Sequence, residues 1–240
     1  MSKFFKMRSA ITNILIIGIL IGLTIVSLSN QYSSLVTAPG NDRPYYKGNT
    51  QRGEVAIMIN VYWGTEYIDD MLKVLENHNA KATFFVGGSW ANSNSDTLRK
   101  IIDAGHEVGN HGYFHKDHAK LNYQQNEAEI TSTNTLVKAL CNYDIKLFAP
   151  PSGSFNDLTL EVAAKLNMPV IMWSRDTIDW RDKDSSLVYS RATNKIQAGD
   201  MILMHPTAHT LTALGDILTY YEDNDLTPVT VSQIISQQTI

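Results

Sequence analysis

The chain has 240 residues, which is enough for one domain and an additional segment. Its 20 Lys and Arg residues against 24 Asp and Glu residues give a formal net charge of −4, so no basic surface favours nucleic acid as a partner. A single cysteine, Cys141, excludes a disulfide within the chain.

The amino-terminal segment differs in composition from the rest of the chain. Basic residues precede an uncharged apolar run from Ile11 to Leu28, whose length just suffices to cross the hydrocarbon core of a membrane. The positive flank predicts that the remainder of the chain is exported. Residues 1–28 are therefore expected to be a transmembrane signal-anchor, or a signal peptide if the segment is cleaved. An anchor makes a single-pass protein of the cell membrane with an extracytoplasmic domain, whereas cleavage makes a secreted protein.

Residues 29–53 are predicted to be a polar linker, because they are rich in Ser, Asn, Pro and Gly and lack regular apolar spacing. The folded domain is expected at residues 54–240, where short apolar strands and amphipathic helices alternate about seven times. Strands are predicted at 55–61, 82–86, 107–109, 146–149, 170–173, 201–204 and 228–229. Helices are predicted at 66–78, 95–104, 122–140, 157–166, 184–196 and 211–221, followed by a short one with a capping box at Thr230 and Gln233.

Alternation of this kind predicts an α/β fold with a parallel sheet, and about seven units favour a closed or nearly closed barrel. In such barrels the active site lies at the carboxyl ends of the strands. Polar motifs occupy these places at Asn60–Gly64, Asn110–His115, Pro150–Gly153, Asp176–Trp180 and His205. We expect the five loops to converge on one site.

Two histidines of the second loop are candidates for a metal site. His111 and His115 are four residues apart, so both imidazoles can face one point in a loop or a single turn. Zinc accepts such ligands, although an isolated pair with this spacing is more often incidental. His106 is expected to have a structural packing role, and His118 is expected at the surface.

Five motifs occur in the order and spacing of a known family. They are Lys81–Val86, Gly105–His111 with His115, Phe148–Gly153, Asp176–Trp180 and Ile202–His205. Together they resemble the polysaccharide deacetylase family, which is carbohydrate esterase family 4 and is characterised by the NodB homology domain. The resemblance extends from about Glu54 to Ile235. The first and third loops are most similar to a sporulation-associated branch of the family from Gram-positive bacteria.

The resemblance implies a distorted (β/α) barrel of seven or eight strands. It also implies a hydrolase that removes N-acetyl groups from amino sugars of cell-wall or spore peptidoglycan, or of a chitin-like glycan, by cleaving a carbon–nitrogen bond. A divalent metal, usually zinc or cobalt, is implied, with His111 and His115 as two of its ligands. His205 is implied as the acid that protonates the leaving nitrogen, with Asp179 orienting it.

The remaining implied contacts are with the glycan itself. Trp180 is expected to form an apolar wall for a sugar ring or its acetyl group, and Pro150 of the third motif is expected beside it. Asn60 and Tyr62 of the first loop are also expected to contact the substrate.

The first motif departs from the family pattern Thr-Phe-Asp-Asp-Gly. Here Tyr62 stands in place of the general base and Trp63 in place of the metal-binding Asp. Tyrosine has an ordinary pKa near 10, so Tyr62 is a poor base at neutral pH. Ala149 replaces the arginine that normally steadies the base. The predicted metal site therefore has an incomplete set of ligands, and the metal itself is in question.

Two main functions remain open from the sequence, besides hydrolysis of a different substrate such as a small amide, since the loops of the pocket set that choice. The first is a polysaccharide deacetylase-like hydrolase in which water or Asn60 completes the metal shell and His205 acts as both acid and base. The second is a catalytically impaired pseudo-enzyme that binds glycan or has a structural role in the envelope or in sporulation. The retained His and Asp residues favour the first, and the altered first motif favours the second.

Overall fold

The structure is a computed structural model in which residues 43–236 are described. The predicted membrane segment, residues 1–28, lies outside the described residues, as does the first part of the predicted linker. Within residues 43–236, no helix combines the length and the apolar character needed to cross a membrane.

Parallel strands form one sheet in the order β3-β2-β1-β5-β4, and β6 pairs with the first residues of β1. The strands are β1 (Glu54–Val61), β2 (Ala82–Val86), β3 (Glu107–Asn110), β4 (Arg175–Asp176), β5 (Met201–Met204) and β6 (Thr227–Val229). β1 lies at the centre of this order, and all of its residues after Glu54 are buried. A strand buried on both faces is largely apolar, which explains the continuous apolar run of residues 55–59.

Isolated bridges extend the sheet beyond β3. Phe148 bridges to Asn110 on one side and to Val170 on the other. The predicted strands at 146–149 and 170–173 are therefore present only as single bridges. Pro150 and Pro169 flank these segments and lack the backbone N–H that a longer ladder requires. The row of parallel neighbours fits the barrel type expected for this sequence.

Eight α-helices flank the sheet within residues 43–236. They are α1 (Ile68–Asn77), α2 (Gly88–Ser93), α3 (Ser95–Asp103), α4 (Tyr123–Cys141), α5 (Asp157–Lys165), α6 (Ser185–Thr193), α7 (Ala208–Asp223) and α8 (Val231–Ile235). Short 3-10 turns occur at His118–Lys120 and Pro151–Gly153. The sequence did not predict α2, because the pair of glycines at its start reads as a stop. Its buried Trp90 secures it by donating an indole N–H bond of 2.7 Å to the Gly64 carbonyl.

Local capping explains where several helices begin. The Asn122 side chain accepts the backbone N–H of Gln125 at the start of α4, and the Gln125 side chain accepts the N–H of Asn122. The predicted capping box of Thr230 and Gln233 is confirmed at the start of α8. Each box satisfies backbone N–H groups that have no partner inside the helix.

Successive residues of β1 pack into two different layers. Ile57 and Ile59 belong to the larger apolar cluster, which includes the inward faces of the flanking helices. Ala56 and Met58 belong to a smaller cluster on the other face of the sheet, which Ile234 of α8 joins. The alternation follows from the two-residue period of a strand. Both faces of the sheet are thus covered.

Residues 45–49 pack against the domain, although they lie within the predicted linker of residues 29–53. The Tyr45 N–H donates to the Val170 carbonyl at 2.9 Å, and the Tyr45 carbonyl accepts the N–H of Met172 at 2.8 Å. Lys47 forms an ion pair of 2.9 Å with the buried Asp200. This part of the predicted linker therefore covers the edge of the sheet formed by residues 170–172.

Candidate functional site

The carboxyl ends of β1, β3, β4 and β5 face the same side of the sheet, and the loops that follow them enclose a cavity of about 330 Å³. Six of the predicted site residues line it: Asn60, Tyr62, His111, His115, Trp180 and His205. Parallel strands bring side chains from distant parts of the chain together at this edge. The cavity is the candidate site.

Two predicted site residues do not line the cavity. Asp179 is only 1% exposed and contacts His205. Pro150 is buried and precedes the 3-10 turn Pro151–Gly153, which brings Ser152 into the cavity wall. Asp179 thus acts through His205, and Pro150 contributes the direction of the turn rather than a surface of the cavity.

His205 is held by a buried carboxylate. It follows β5, and its Nδ1–H donates to Asp179 Oδ1 at 2.7 Å. Its backbone N–H donates to Asp179 Oδ2 at 2.6 Å, and Thr210 donates its hydroxyl to the same oxygen at 2.6 Å. Because Nδ1 is bonded to the carboxylate, Nε2 is the ring nitrogen left for a ligand. The pair can pass a proton to or from a bound group through Nε2.

The same contacts set the protonation of Asp179. Burial raises the pKa of this carboxyl, but the hydrogen bonds and charge of His205, together with the bond from Thr210, outweigh burial. The net result is a pKa lowered from the ordinary aspartate value, so Asp179 is an anion at neutral pH.

A strained turn places Asp179 under His205. Ile178 has a φ of +54°, which is unusual for a β-branched side chain. The Ile178 N–H donates to Asp176 Oδ1 at 2.7 Å, and its carbonyl accepts the N–H groups of Arg181 and Asp182. Asp176 itself lines the cavity. The turn therefore sends Asp176 and Asp179 in two different directions, one to the cavity and one to His205.

His111 follows β3 and is held in a fixed tautomer. Its Nδ1 lies 2.8 Å from the Ala149 carbonyl, and because a carbonyl only accepts, Nδ1 carries the proton. Burial, reinforced by the neighbouring His115, lowers the pKa of His111 to about 3. The ring is therefore neutral at pH 7, and its Nε2 has a free lone pair.

A buried carboxylate holds the loop that carries His115. Glu129 of α4 accepts the backbone N–H groups of Tyr113 and Phe114, each at 2.8 Å. Lys116 forms an ion pair of 3.2 Å with its other oxygen. These bonds stabilise a loop in which His115 has a φ of +55°. Burial is the main cause of a lowered His115 pKa.

Tyr62 and Trp63 follow β1 and place rings rather than carboxylates at its carboxyl end. The Tyr62 ring stacks on His115 with centroids 3.6 Å apart, and Trp63 stacks on His205 at 5.4 Å. Tyr62 and Trp63 also contact each other edge to face at 4.2 Å. Burial raises the pKa of Tyr62 above its ordinary value, so the phenol is neutral at pH 7. It cannot serve as the base of a hydrolase.

The donor set does not fit the implied metal. His111 and His115 have ring centroids 5.0 Å apart and could supply at most two ligands. Across residues 43–236, no group of three His, Cys, Asp or Glu side chains is arranged to hold a metal ion. A catalytic zinc normally has three protein ligands, and Trp63 supplies none.

Sequence reasoning missed several residues of the site. Ser152, Trp173, Asp176 and Leu203 also line the cavity. Ser152, Asp176 and Leu203 lie inside motifs that the sequence indicated, and Trp173 ends a predicted strand. The direction of each side chain, which decides its role, depends on the fold. The contact of Thr210 with Asp179 crosses 31 positions, so no local pattern could have indicated it.

The prediction that His118 lies at the surface is wrong. Its side chain is fully buried, its Nδ1–H donates to Asn126 at 2.6 Å, and its ring lies 4.9 Å from Phe148. The neighbouring charged residues Lys116, Asp117 and Lys120 made this segment resemble a solvated loop. For His106, the predicted structural role is confirmed, since it is buried and its Nδ1 accepts the N–H of Ala82 at 3.2 Å.

The chain is similar to characterised and uncharacterised proteins of Bacillus. It is 40% identical to the uncharacterized protein YlxY of Bacillus subtilis, over 81% of this chain and 61% of that protein. It is 30% identical to a peptidoglycan-N-acetylglucosamine deacetylase of Bacillus cereus, over 68% of this chain and 59% of that protein. The chain thus spans about three fifths of the length of these curated relatives.

A solved structure has the same fold. The crystal structure of BA3943, described as a CE4 family pseudoenzyme from Bacillus anthracis, superposes with a TM-score of 0.78 at 36% identity. The match covers 80% of this chain and 69% of BA3943. The sequence profile of the family described as polysaccharide deacetylase matches residues 47–171, which are 125 of the 240 residues. The chain belongs to the polysaccharide deacetylase family.

Proposed function

We propose that this chain recognises N-acetylated amino sugars of peptidoglycan in the cavity of its deacetylase domain, with an impaired ability to hydrolyse their acetamido carbon–nitrogen bond. One observation supports the proposal above all others. The acid side of the site, His205 with Asp179, is kept, whereas the neighbouring aromatic side consists of Tyr62, which stacks on His115, and Trp63, which stacks on His205. Relatives described as peptidoglycan deacetylases support this class of glycan as the ligand.

The cavity has the features of a sugar-binding site. Trp180 is 56% exposed at its wall, and an aromatic face of this kind packs against the apolar face of a sugar ring. Ser152, Asp176 and the free nitrogen of His111 supply polar groups for hydroxyl and amide contacts. A mostly apolar pocket with a few placed polar groups is typical of small-ligand sites.

Hydrolysis needs more than the cavity supplies. An acetamide is attacked by an activated water, and the leaving amine then takes a proton. His205 is placed to give that proton, but the neutral phenol of Tyr62 does not activate water. A general base contributes about 10²–10⁴-fold to such a rate, so its loss alone leaves turnover slow.

A second candidate function is an active deacetylase in which His205 is both base and acid. The intact hydrogen bonds between His205 and Asp179 favour it. In this mechanism neutral Nε2 first takes a proton from water and then returns it to the amine. It predicts that all acetate release depends on His205.

Both candidates are tested with the purified full chain and the β-1,4-linked tetramer of N-acetylglucosamine. Calorimetry measures binding, and enzymatic detection of acetate measures turnover with added zinc or cobalt. We expect binding, and acetate release at least about 10²-fold slower than that of an intact peptidoglycan deacetylase assayed alongside.

The outcomes separate the two candidates. Acetate release as fast as that of the intact enzyme, and abolished by His205→Ala, would establish the second candidate. If the chain binds neither the tetramer nor a peptidoglycan fragment, both candidate functions are rejected. Trp180→Ala serves as the matched variant, because its exposed ring can be removed without opening the core.

We also propose the arrangement of the whole protein. Residues 1–28 form a transmembrane signal-anchor, residues 29–53 a linker whose later part (residues 45–49) packs on the domain, and residues 54–240 the deacetylase domain, a distorted (β/α) barrel of seven or eight strands. The domain lies outside the cytoplasm, where peptidoglycan is accessible, and serves the cell wall or sporulation. The charge and apolar length of the first 28 residues support this orientation.

The arrangement is tested in intact protoplasts. External protease should digest the domain while the first segment stays with the membrane fraction. Protection of the domain from protease would place it in the cytoplasm and contradict the proposal. Release of the domain into the medium would indicate cleavage after the apolar run instead of an anchor.

A further inference from the structure

One buried polar atom of the cavity has no partner. Asn60 is the penultimate residue of β1, is 3% exposed and lines the cavity. Among the described residues, no group donates a hydrogen bond to its Oδ1. Buried side-chain oxygens are nearly always hydrogen-bonded, because an unpaired one loses its water without replacement. An unpaired acceptor on the wall of a cavity therefore indicates a donor that arrives with a ligand.

The surroundings of Asn60 restrict the chemistry of that ligand. Trp173, Trp180 and Leu203 give the same cavity an apolar wall. The free Nε2 of His111 is another acceptor, since its Nδ1 carries the ring proton. A group that enters this space must combine a hydrogen-bond donor with a small apolar part. The acetamido group has both, in its N–H and its methyl, whereas a sugar hydroxyl has only the donor.

The geometry points to Asn60 as a specificity-determining residue whose Oδ1 accepts the N–H of the acetamido group of a bound amino sugar. The inference rests on the proposed function and names the atom that selects the ligand. It is independent of turnover, because it concerns the bound acetamide rather than a reacting water. It also accounts for a polar residue at the end of an otherwise apolar strand.

The discrimination follows from the unpaired oxygen. A site that is built to receive a hydrogen bond disfavours an analogue without the donor, because its own buried group then stays unpaired. Glucose polymers have a hydroxyl at the position of the acetamido group and lack the methyl that fits the apolar wall. The wild-type chain should therefore prefer the N-acetylglucosamine tetramer to the corresponding glucose tetramer.

The test removes the acceptor while keeping the volume of the side chain. The full-length Asn60→Leu variant and the wild type are titrated with both tetramers in the presence of EDTA. We expect affinity for the N-acetylglucosamine tetramer to fall about 10- to 100-fold, and affinity for the glucose tetramer to change less than about twofold. Tm should rise by about 2–4 °C, because the variant no longer buries an unpaired oxygen.

Two further variants serve as controls. Asn60→Asp keeps an oxygen acceptor in the same place and should retain the preference for the acetylated tetramer. Asn77→Leu makes the same chemical change at an exposed position at the end of α1 and should alter neither affinity. Together they separate loss of the acceptor from the effect of adding a leucine.

The results distinguish this inference from the proposed function. Wild-type binding with an unchanged preference in Asn60→Leu would overturn the role of Asn60 and leave the proposed function intact. Equal losses for both tetramers with a lowered Tm would show that Asn60 is a structural residue, and would also overturn the inference. If the wild type binds neither tetramer, the proposed function is rejected, and the inference about Asn60, which rests on it, is rejected as well.

Discussion

The acid side of the site (His205 and Asp179) and the aromatic side (Tyr62 and Trp63) are built from different kinds of interaction. On the acid side, His205, Asp179 and Thr210 form a buried network in which every bond depends on the carboxylate. The aromatic side consists of Tyr62 and Trp63, whose rings pack on His115 and on His205 itself, and both rings remain partly exposed. A single substitution in a buried polar network costs much stability, whereas a partly exposed position after a strand tolerates replacement by an aromatic residue.

This difference explains how the His205–Asp179 pair can be retained although the carboxylates expected at positions 62 and 63 are absent. The Asp179 carboxylate stabilises the loop after β4 and the start of α7 as well as His205. Loss of the carboxylate would leave several buried donors unpaired. Asp179 is therefore needed for the stability of the fold, whether or not the site is catalytically active. Tyr62 and Trp63 carry no comparable set of bonds, and the rings of His115 and His205 gain aromatic contacts from them.

The largest expected effect comes from repairing the aromatic side. The double change Tyr62→Asp and Trp63→Asp supplies the missing base and the third ligand for zinc or cobalt. Acetate release from the N-acetylglucosamine tetramer should increase by about 10²–10⁴-fold with metal present, and EDTA should abolish the gain. Adding His205→Ala to the double variant is the control. An unchanged rate in a folded, metal-binding double variant would show that the acid side is impaired too.

The acid side is tested most strongly by removing its carboxylate. Asp179→Ala leaves the His205 N–H, the His205 ring and the Thr210 hydroxyl without their common partner. Each buried donor that loses its partner costs about 1–3 kcal/mol, so urea denaturation should show a loss of several kcal/mol. Asp70→Ala, at an exposed position in α1, is the control and should cost less than about 0.5 kcal/mol.

The acid side should also give a specific pH dependence. The pKa of Asp179 is lowered in the folded protein from its ordinary value of 3.8. Its stabilisation is therefore complete above pH 3.8 and is lost as the pH falls through the lower folded value. The stability difference between wild type and Asp179→Asn, measured by denaturation, should shrink below pH 3.8. A difference that stays constant there would contradict this assignment.

Trp180 should affect ligand binding but not folding. Its ring is exposed, so Trp180→Ala should change the free energy of unfolding by less than about 0.5 kcal/mol. Affinity for the N-acetylglucosamine tetramer should fall about tenfold, because an aromatic face is lost from the cavity wall. Leu187→Ala removes a similarly exposed apolar side chain of α6 and should leave affinity unchanged.

The smallest effect is expected at Trp63. Its contacts with Tyr62 and His205 are ring stacks at a partly exposed position. Such pairs contribute about 0.5–1.5 kcal/mol, so Trp63→Ala should destabilise the fold by about that amount. A loss of unfolding free energy as large as that of Asp179→Ala would show that the aromatic side stabilises the fold as strongly as the acid side does.

Much of the fold was predictable from local signals. The strands at 82–86 and 201–204 and the capping box of α8 agree with the structure, because continuous apolar runs and capping residues act over a few positions. The segments at 146–149 and 170–173 were predicted as strands but form single bridges. Whether an apolar segment forms a ladder depends on its neighbours across the sheet, which the sequence does not place.

The sequence by itself determined which side chains can meet in the cavity and that Tyr62 and Trp63 stand where carboxylates are expected. It did so because motifs at the ends of parallel strands must lie on one edge of the sheet. Only the tertiary structure decided that Tyr62 stacks on His115, that Thr210 bonds to Asp179 and that Asn60 has an unpaired oxygen. These features depend on side-chain direction and burial, which arise when segments far apart in the chain pack together.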